Sequence, residues 1–548
     1  MANKTAVFAA MLGDQNGKSQ RTIAEEIGIP RSTLQHWLAR HQGIDAEPEM
    51  VNFFESEVGI AFLHRLILAA HFVITLLGPS GVRMVCLFME LSGLDQFVAA
   101  CYGAQRQVNQ AIEEAIVTYE QEERKRLSAT ASPKVITVCE DETFHPETCL
   151  VAIEPVSNFI VLEKYVSDRK AETWTAALNE SLVDLPVTVI QATSDEGRGI
   201  CRHVKHELGA HHSPDLFHVQ HAASQATSAP LAAQVRKAET ALTAASQVVE
   251  RQQARQQDYL NCDPRPVGRP PDFERYIATA QATEKKAQAI LAGALAHQAQ
   301  AKAAIQGISQ SYHPYDLATG AARNAKTVAA ELDTHFATLE AVAAEANLST
   351  RCQEQIYKAK RVMVKMVATI TFYFLTIQAK VEALSLTSAQ EQAVYDQLIP
   401  GIYLRLVANK AATAQERQAL RQQAQCLLAS LQDIDSPFFP LDPERKELIT
   451  GVATECAQLF QRSSSCTEGR NGQLALRHHS LHRLSHRKLN VLTTVHNYFI
   501  TRPDGSTAAQ RFFNADPRSL FDYLLAHVDL PGRPAQKRPP PPPLPLLL

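Results

Sequence analysis

Three acidic residues stand where a sheet would bring oxygen ligands together. Asp141 ends a β-branched run in Val-Cys-Glu-Asp-Glu-Thr-Phe, and Asp195 ends another in Val-Thr-Val-Ile-Gln-Ala-Thr-Ser-Asp-Glu-Gly. Carboxylates at the C-terminal ends of adjacent strands share divalent cations, and two such ions activate a water or hydroxyl in phosphoryl transfer. Such a site needs one more acid, and Glu468 supplies it. The three acids predict a magnesium-dependent centre.

Each of these acids also has a second interpretation. Aspartate caps turns and helix starts routinely, so one strand-end aspartate by itself does not indicate a metal. Glu140 and Glu142 compete with Asp141 for the first ligand position, and Glu196 or Asp215 is an alternative third ligand.

A cationic stretch follows Glu468 and contains no acid before Asp504. Beside a metal site, such a stretch would hold the phosphate backbone of a nucleic-acid strand. The alternative is a solvated basic helix, because charge runs usually are solvated faces. The predicted phosphate-binding residues are Arg470, Arg477, Arg483, Arg487 and Lys488, interspersed with His478, His479, His482 and His486.

The segment Gln20–Leu38 has the pattern of a helix-turn-helix. Ala24 is the small residue that lets two helices approach and Gly28 makes the turn, while Pro30 starts the second helix. The predicted core is Ile23, Ile27, Leu34 and Trp37. The outer face of the second helix, where such motifs meet base edges and phosphates, carries Arg31, Ser32, Gln35 and His36. An ordinary helical hairpin is the alternative.

Cysteine and histidine crowd together after Asp195 and invite a zinc interpretation. The residues are Cys201, His203, His206, His211, His212, His218 and His221. Their spacing is loose and no second cysteine pair exists, so the sequence argues against a shared tetrahedral site. For His218 we expect a supporting role, orienting the site or hydrogen-bonding the backbone.

A sheet must position Asp141 and Asp195. Short β-branched runs between turn residues predict strands at Val135–Glu140, Cys149–Glu154, Phe159–Tyr165, Val187–Ala192 and Leu216–Val219. Apolar periodicity predicts helices at Ala171–Leu182 and Gly197–Leu208. A three-stranded meander followed by helix, strand, helix and strand is an α/β order. Long Ala- and Gln-rich helices are predicted at Ala229–Gln257 and Phe273–Ile308.

The order of these motifs resembles the DDE transposases with a ribonuclease-H-like fold, notably the branch with an insertion between the second Asp and the Glu. Asp141-Glu142-Thr143 resembles the first motif of the ISL3-like and Mutator-like groups. Asp195, with the trailing Asp215-Leu216-Phe217-His218-Val219, resembles the second, and Glu468-Gly469-Arg470-Asn471 the third. The tract Cys466–Phe513 further resembles a bacterial transposase-like family known mainly by a domain of unknown function. The long separation of Asp195 from Glu468 then requires an insertion that loops out and returns.

The resemblance implies a multidomain α plus α/β protein: an N-terminal helix-turn-helix, then a ribonuclease-H-like mixed sheet interrupted by a long all-α insertion. We predict a helix-turn-helix domain over 1–45 and a helical domain over 46–130 with a weaker helix-turn-helix echo at Leu91–Val108. The catalytic core would span 131–228 and 461–530, around a helical insertion at 229–460. Residues 531–548 are predicted to be a disordered Pro-rich tail.

By the same resemblance, the chain is expected to cleave and transfer DNA strands at mobile-element ends. Asp141, Asp195 and Glu468 would bind two ions of Mg²⁺ or Mn²⁺, with Glu142, Asp215, His218 and Asn471 in support. The partners would be double-stranded DNA and a second copy of the chain, in a bacterial cytoplasm near the nucleoid. A catalytically inactive DNA-binding or regulatory protein derived from a transposase is the alternative, and a helical scaffold is a third hypothesis.

Composition excludes several other classes. The 548 residues suffice for roughly three to four domains, and a net charge of −3 confines any nucleic-acid contact to local patches. Ten scattered cysteines without a C-x-x-C pair favour free thiols in a reducing compartment. The apolar stretches Leu66–Leu77 and Met366–Ile377 are shorter than a bilayer span, and no signal peptide, P-loop or G-x-S-x-G elbow occurs. We therefore expect a soluble protein without a membrane partner.

Overall fold

The computed structural model describes residues 16–42, 44, 46–144, 146–481 and 483–532, and of 36, 37 and 40–42 it describes the backbone. The predicted roles of the His36 and Trp37 side chains and of His482 lie outside these descriptions, as does the Pro-rich segment from 533 onward.

The described chain is mostly helical, with one five-stranded sheet. Its first helices are α1 (Gln20–Ile27), α2 (Arg31–Gln42), α3 (Pro48–Glu55), α4 (Glu57–His71, continued by a π-helical turn Phe72–Leu77), α5 (Val82–Leu91) and α6 (Tyr102–Thr130). Between and after the strands come α7 (Ala171–Leu182), α8 (Arg198–Arg202, continued by a π-helical turn His203–Glu207), α9 (Leu216–Asn261) and α10 (Phe273–Ser311). The remaining helices are α11 (Ala325–Glu345), α12 (Thr350–Glu382), α13 (Ser388–Ala393), α14 (Ile399–Lys410), α15 (Ala414–Ala429), α16 (Pro443–Leu459), α17 (Ser465–Leu481), α18 (His486–Tyr498), α19 (Ala508–Phe513) and α20 (Leu520–His527).

The sheet has the strand order β3-β2-β1-β4-β5. Its strands are β1 (Lys134–Phe144), β2 (Thr148–Glu154), β3 (Phe159–Val166), β4 (Val187–Ser194) and β5 (His211–Pro214). Strands β2 and β3 pair antiparallel with a bulge at Ala152/Ile153, whereas β4 and β5 pair parallel with Ala192 opposite His212. The sheet is therefore mixed, and the chain combines an α part with an α/β part.

Four of the predicted strands are confirmed within a few residues, and α7 has the predicted bounds. The predicted fifth strand, Leu216–Val219, is wrong: this segment is the first turn of α9, and the fifth strand lies just before it. Asp215 explains the difference, because its carboxylate accepts from the backbone N–H of Phe217 and caps the helix. The apolar residues after Asp215 follow a helical rather than an alternating period.

Two compact units make up the chain, and the first is discontinuous in sequence. It comprises 1–134, 141–188 and 466–548, so the chain leaves this unit after 188 and returns to it at 466. One of its cores joins β2 and β3 to the two helices that follow the return, through Val151, Ile160, Leu474, Leu489 and Leu492. Burial of this apolar surface is what fixes α17 and α18 against the sheet.

The second unit comprises 135–140 and 189–465 and is largely helical. One apolar core of this unit runs from Leu216 through Phe336 and Ile370 to Phe460, and a smaller one contains Leu404 and Leu420. The long helices α9 and α10 pack along each other as a hairpin. Buried alanines recur every seven residues on α10, at 280, 287, 294 and 301, which lets the two helix backbones approach closely.

Two helical segments are long and apolar enough to cross a membrane by length and composition alone: Glu57–Leu77 and Thr350–Glu382. The prediction that their apolar stretches are too short is therefore wrong, because each stretch is part of a longer helix. The core helix of a soluble protein passes the same test, and one or two such helices are weak evidence of a membrane span. Ile67 and Ile370, at the centres of these segments, are fully buried.

Candidate active site

Asp141 lies in β1 and contacts a residue far along the chain. Its Oδ2 accepts a hydrogen bond of 2.8 Å from Nδ2 of Asn471, which is 330 residues away, and its Oδ1 accepts from the backbone N–H of Glu142 at 2.8 Å. Both residues belong to the first unit. The first and third predicted motifs therefore meet in the folded chain.

Glu468 lies three residues before Asn471 on α17 and is exposed to solvent. A spacing of three places two side chains on the same face of a helix. Glu468 is therefore carried on the side of α17 that also carries Asn471, whose amide contacts Asp141 of β1.

The donor set in the first unit fits a hard divalent cation. Asp141 and Glu468 offer carboxylate oxygens, which Mg²⁺ prefers. The Oδ1 of Asn471 is buried, and within the described part of the chain it has no hydrogen-bond partner. A buried amide oxygen without a partner is costly, so a cation or an ordered water would stabilise it. These residues are the ones that would hold Mg²⁺.

The two glutamates that flank Asp141 have other partners. Glu142 accepts from Nε1 of Trp174 at 3.0 Å and from Arg169 at 3.3 Å, which ties it to α7 and the loop before it. In the second unit, the fully buried Glu140 lies 3.6 Å from Nε2 of His203. Of the competing first ligands, Asp141 is therefore the one joined to the Glu-x-x-Asn motif.

Asp195 belongs to the second unit and directly follows β4. Its Oδ1 accepts from the backbone N–H of Gly197 at 2.9 Å. A Cβ at residue 197 would lie 2.8 Å from that oxygen, so a larger residue there would displace the Asp195 carboxylate. In the strand order, β4 is the neighbour of β1.

Asp215 is unsuited to the alternative role of third ligand because both its carboxylate oxygens already accept hydrogen bonds. It is 1% exposed, its Oδ1 caps the helix, and its Oδ2 accepts from Oγ of Ser464 at 2.6 Å. Nε2 of His218 lies 3.7 Å from the same oxygen. Asp215 thus holds the returning chain at 464, and the supporting role of His218 stays a prediction.

The structure changes the prediction that the basic stretch binds phosphates. Arg470 is buried and pairs with Glu163 of β3, at 2.7 and 2.6 Å, and Lys488 pairs with Glu113 of α6 at 3.0 Å. Arg477 donates to the backbone carbonyls of Leu76, Leu77 and Gly78, at the end of the π-helical turn. These three cations therefore hold α17 and α18 in place. Their predicted role as phosphate-binding residues is revised to a structural one.

Arg483 and Arg487 are more accessible. Their side chains are 72% and 47% exposed and pair with Glu147 and Glu114. Exposed pairs of this kind are weak, so a phosphate can replace the carboxylate. For these two residues, phosphate binding stays a prediction.

The N-terminal segment forms two short helices around the predicted turn. Ser19 caps α1, and Gly28 ends it in the left-handed region with φ of 73°. The core contains Ile23, Ala24, Leu34 and Leu38, the last of which was not predicted. Arg31, Ser32 and Gln35 are exposed on α2, as the prediction requires.

The cysteine and histidines after Asp195 lie in several different environments. His211 stacks on Phe372 and lies 3.0 Å from Oγ1 of Thr369, and His221 lies 2.7 Å from the amide of Gln225. Cys201 and His212, by contrast, meet Glu196, an acid that the sequence had suggested only as a magnesium ligand. The sequence signal that would have found this group is the β4-loop-helix-β5 connectivity, which brings 196, 201 and 212 to one end of two parallel strands.

Comparison with known proteins adds one finding. Residues 394–540 match a family described as a family of unknown function, DUF6399. The matched segment includes Glu468, Asn471 and the whole basic stretch. No curated protein matches the chain. The family description names no activity, so a function has to be argued from the site itself.

Proposed function

We propose that this protein is a metal-dependent DNA transposase that cleaves and transfers strands at the ends of a mobile element. The observation that carries the proposal is the hydrogen bond from Asn471 to Asp141. It joins two motifs that resemble the first and third motifs of DDE transposases, although most of the second unit lies between them in sequence. In this proposal the acids are Asp141, Asp195 and Glu468, with Asp195 assigned from its motif and its place after β4.

The chemistry follows from the donor set. Bound Mg²⁺ or Mn²⁺ would supply Lewis-acid stabilisation of the phosphoryl oxygens and a lowered pKa for an attacking water. The residues of this chain would hold the charge and orientation that such a step needs. Asn471 fixes one carboxylate oxygen of Asp141, and the buried pair Arg470–Glu163 locks the helix that carries Glu468.

Recognition of DNA is assigned to the N-terminal helix pair. The exposed face of α2 carries Arg31, Ser32 and Gln35, whose side chains suit hydrogen bonds to base edges and phosphates. The strand order with a meander, a helix and a parallel edge supports the ribonuclease-H-like part of the proposal. A second copy of the chain is expected on DNA, by resemblance.

The test is cleavage of a plasmid that carries the DNA flanking the gene for this chain. We expect the full chain to nick it with Mg²⁺ and not with a chelator. Asp141→Asn, Asp195→Asn and Glu468→Gln should each abolish nicking. Glu180→Gln is the matched control, because Glu180 is an exposed carboxylate on α7 and its removal should leave the rate unchanged.

Two results would overturn the proposal. Full cleavage by Asp141→Asn together with Glu468→Gln would show that these acids do not act in it. Site-specific binding of the flanking DNA in chelator, with no cleavage under any divalent ion, would instead identify a DNA-binding protein without strand chemistry.

A further inference from the structure

A second group of metal-ligating side chains lies in the second unit. Glu196 follows β4, Cys201 is in α8 and His212 is in β5, and one ligand atom from each lies within 4.8 Å of the others. Thiolate, imidazole and carboxylate together form a borderline-soft donor set, which suits Zn²⁺ rather than Mg²⁺. We propose that Glu196, Cys201 and His212 bind one zinc ion.

The separations are close to those of a zinc site. Oε1 of Glu196 lies 4.0 Å from Nδ1 of His212, and a ligand atom of Cys201 lies within 4.8 Å of a ligand atom of each of the other two residues. Zinc bonds of roughly 2.0–2.3 Å in a tetrahedron give ligand–ligand edges of about 3.3–3.7 Å. A small inward movement of Glu196, whose side chain is at the surface, closes the remaining gap.

The hydrogen bonds around His212 leave one ring nitrogen for a metal. Oγ of Ser194 donates to the carbonyl of Asp195 at 3.1 Å, so its only proton is used. Nε2 of His212 lies 3.0 Å from that Oγ, and it is the donor when the serine proton is directed at the Asp195 carbonyl. Metal-bound histidines characteristically donate their other ring N–H to such an outer partner.

The nitrogen left over is Nδ1, and it has no hydrogen-bond partner among the described residues. His212 is 3% exposed, so water does not satisfy this atom from bulk solvent. An unprotonated nitrogen and a carboxylate that face each other at 4.0 Å repel unless a proton or a cation lies between them. A zinc ion bound by both removes this repulsion.

Basic side chains lie around the group, and a surface depression leads to Cys201. Lys365 forms an ion pair with Oε2 of Glu196, the oxygen other than the one nearest His212, and its positive charge competes with a cation for this carboxylate. The depression at Cys201 is also lined by His206 and Glu207 and by three cations, Arg198, Arg202 and Lys205, whose positive charge slows the entry of a cation.

This inference does not depend on the proposed function. The zinc site combines sulfur and nitrogen ligands with the oxygen of Glu196, whereas the DNA-cleavage proposal uses only oxygen ligands, from other residues. A chain that bound zinc but cleaved no DNA, or the reverse, would separate the two proposals directly.

The experiment uses the full chain, stripped with chelator, kept reduced and titrated with Co²⁺ as a spectroscopic substitute for Zn²⁺. We expect one Co²⁺ per chain, a near-ultraviolet sulfur-to-cobalt absorption band, and loss of the band when Zn²⁺ is added. Excess Mg²⁺ should leave the band unchanged. Cys201→Ser should abolish it, and His212→Gln and Glu196→Gln should weaken Co²⁺ binding by at least the roughly 10- to 100-fold that loss of an outer partner costs.

Two further variants make the test specific. Cys352→Ser is the matched control, since Cys352 is another partly buried thiol of the second unit, and its band should equal that of the wild type. Lys365→Met should tighten binding, because it removes the competitor for Glu196. The far-ultraviolet circular dichroism of each variant verifies folding. No band in the wild type, or an undiminished band in Cys201→Ser, would overturn the proposal.

Discussion

Arg470 of α17 and Glu163 of β3 form a bidentate ion pair in which both side chains are almost fully buried. The hydroxyl of Thr493 donates to the same carboxylate, so one acid joins the strand to α17 and α18. Breaking a buried pair leaves an uncompensated charge in a medium of low polarity, which is far more costly than losing an exposed one.

Removal of this guanidinium should destabilise the first unit. We expect Arg470→Ala to lower the free energy of unfolding by about 3–5 kcal/mol. Arg483→Ala removes an exposed arginine that also pairs with a glutamate and should cost at most about 1 kcal/mol. Urea unfolding followed by tryptophan fluorescence measures both, since Trp37 and Trp174 both belong to the first unit. Equal costs for the two variants would contradict the buried-pair interpretation.

Asn471 should matter for activity more than for folding. Asn471→Ala removes the donor that orients Asp141, and loss of such a supporting partner typically costs 10- to 100-fold in metal affinity or rate, so we expect a fall of about that size in Mg²⁺-dependent cleavage. The dependence of the rate on Mg²⁺ concentration is the measurement. Ser480→Ala, on the exposed face of the same helix, should have no effect. An unchanged rate in Asn471→Ala would remove the observation on which the proposed function rests.

His496 should make the first unit sensitive to acid. Burial, with the charge of Arg470, lowers the pKa of His496 to about 4, from an ordinary value of 6.5. In the unfolded chain the His496 imidazole binds a proton near pH 6.5, whereas in the folded chain it binds one only near pH 4. The contribution to stability is therefore complete above pH 6.5 and is lost as the pH falls from there towards 4, to a total of about 3 kcal/mol.

The His496 contribution is isolated by comparing variants. His496→Gln should have a shallower decline in the free energy of unfolding between pH 6.5 and 4 than the wild type, measured by the same fluorescence assay. His479→Gln, which changes an exposed histidine on α17, should leave the wild-type slope intact. Parallel slopes for His496→Gln and the wild type would show that another group titrates.

Arg31 should contribute to DNA binding through the exposed face of α2. If its guanidinium contacts a guanine edge, Arg31→Ala should weaken specific binding by roughly 5- to 150-fold, the equivalent of about 1–3 kcal/mol. Arg21→Ala is the control, because Arg21 is an exposed arginine on α1 paired with Glu25. Equilibrium binding to the flanking DNA at one fixed salt concentration measures both. Equal losses in the two variants would argue against reading by α2.

Local features were predictable because they depend on neighbours in the chain. The periods of Val187–Ala192 and Ala171–Leu182 determine a strand and a helix wherever they pack, and Gly28 marks its turn because residue 28 adopts a positive φ. The prediction of the fifth strand at Leu216–Val219 was wrong for a local reason too. The Asp215 carboxylate caps a helix there, and this outweighs the strand preference of a short apolar run.

The tertiary structure alone decided which charges are free to act. Arg470 and Arg483 belong to the same basic stretch in the sequence, yet one is buried against Glu163 and the other is exposed. Their partners lie more than 300 residues away, so no local pattern distinguishes them. The same is true of Asn471 at Asp141 and of Cys201 near His212 and Glu196: residue types suggested chemistry, but only the packing of helices on strands brought these side chains together.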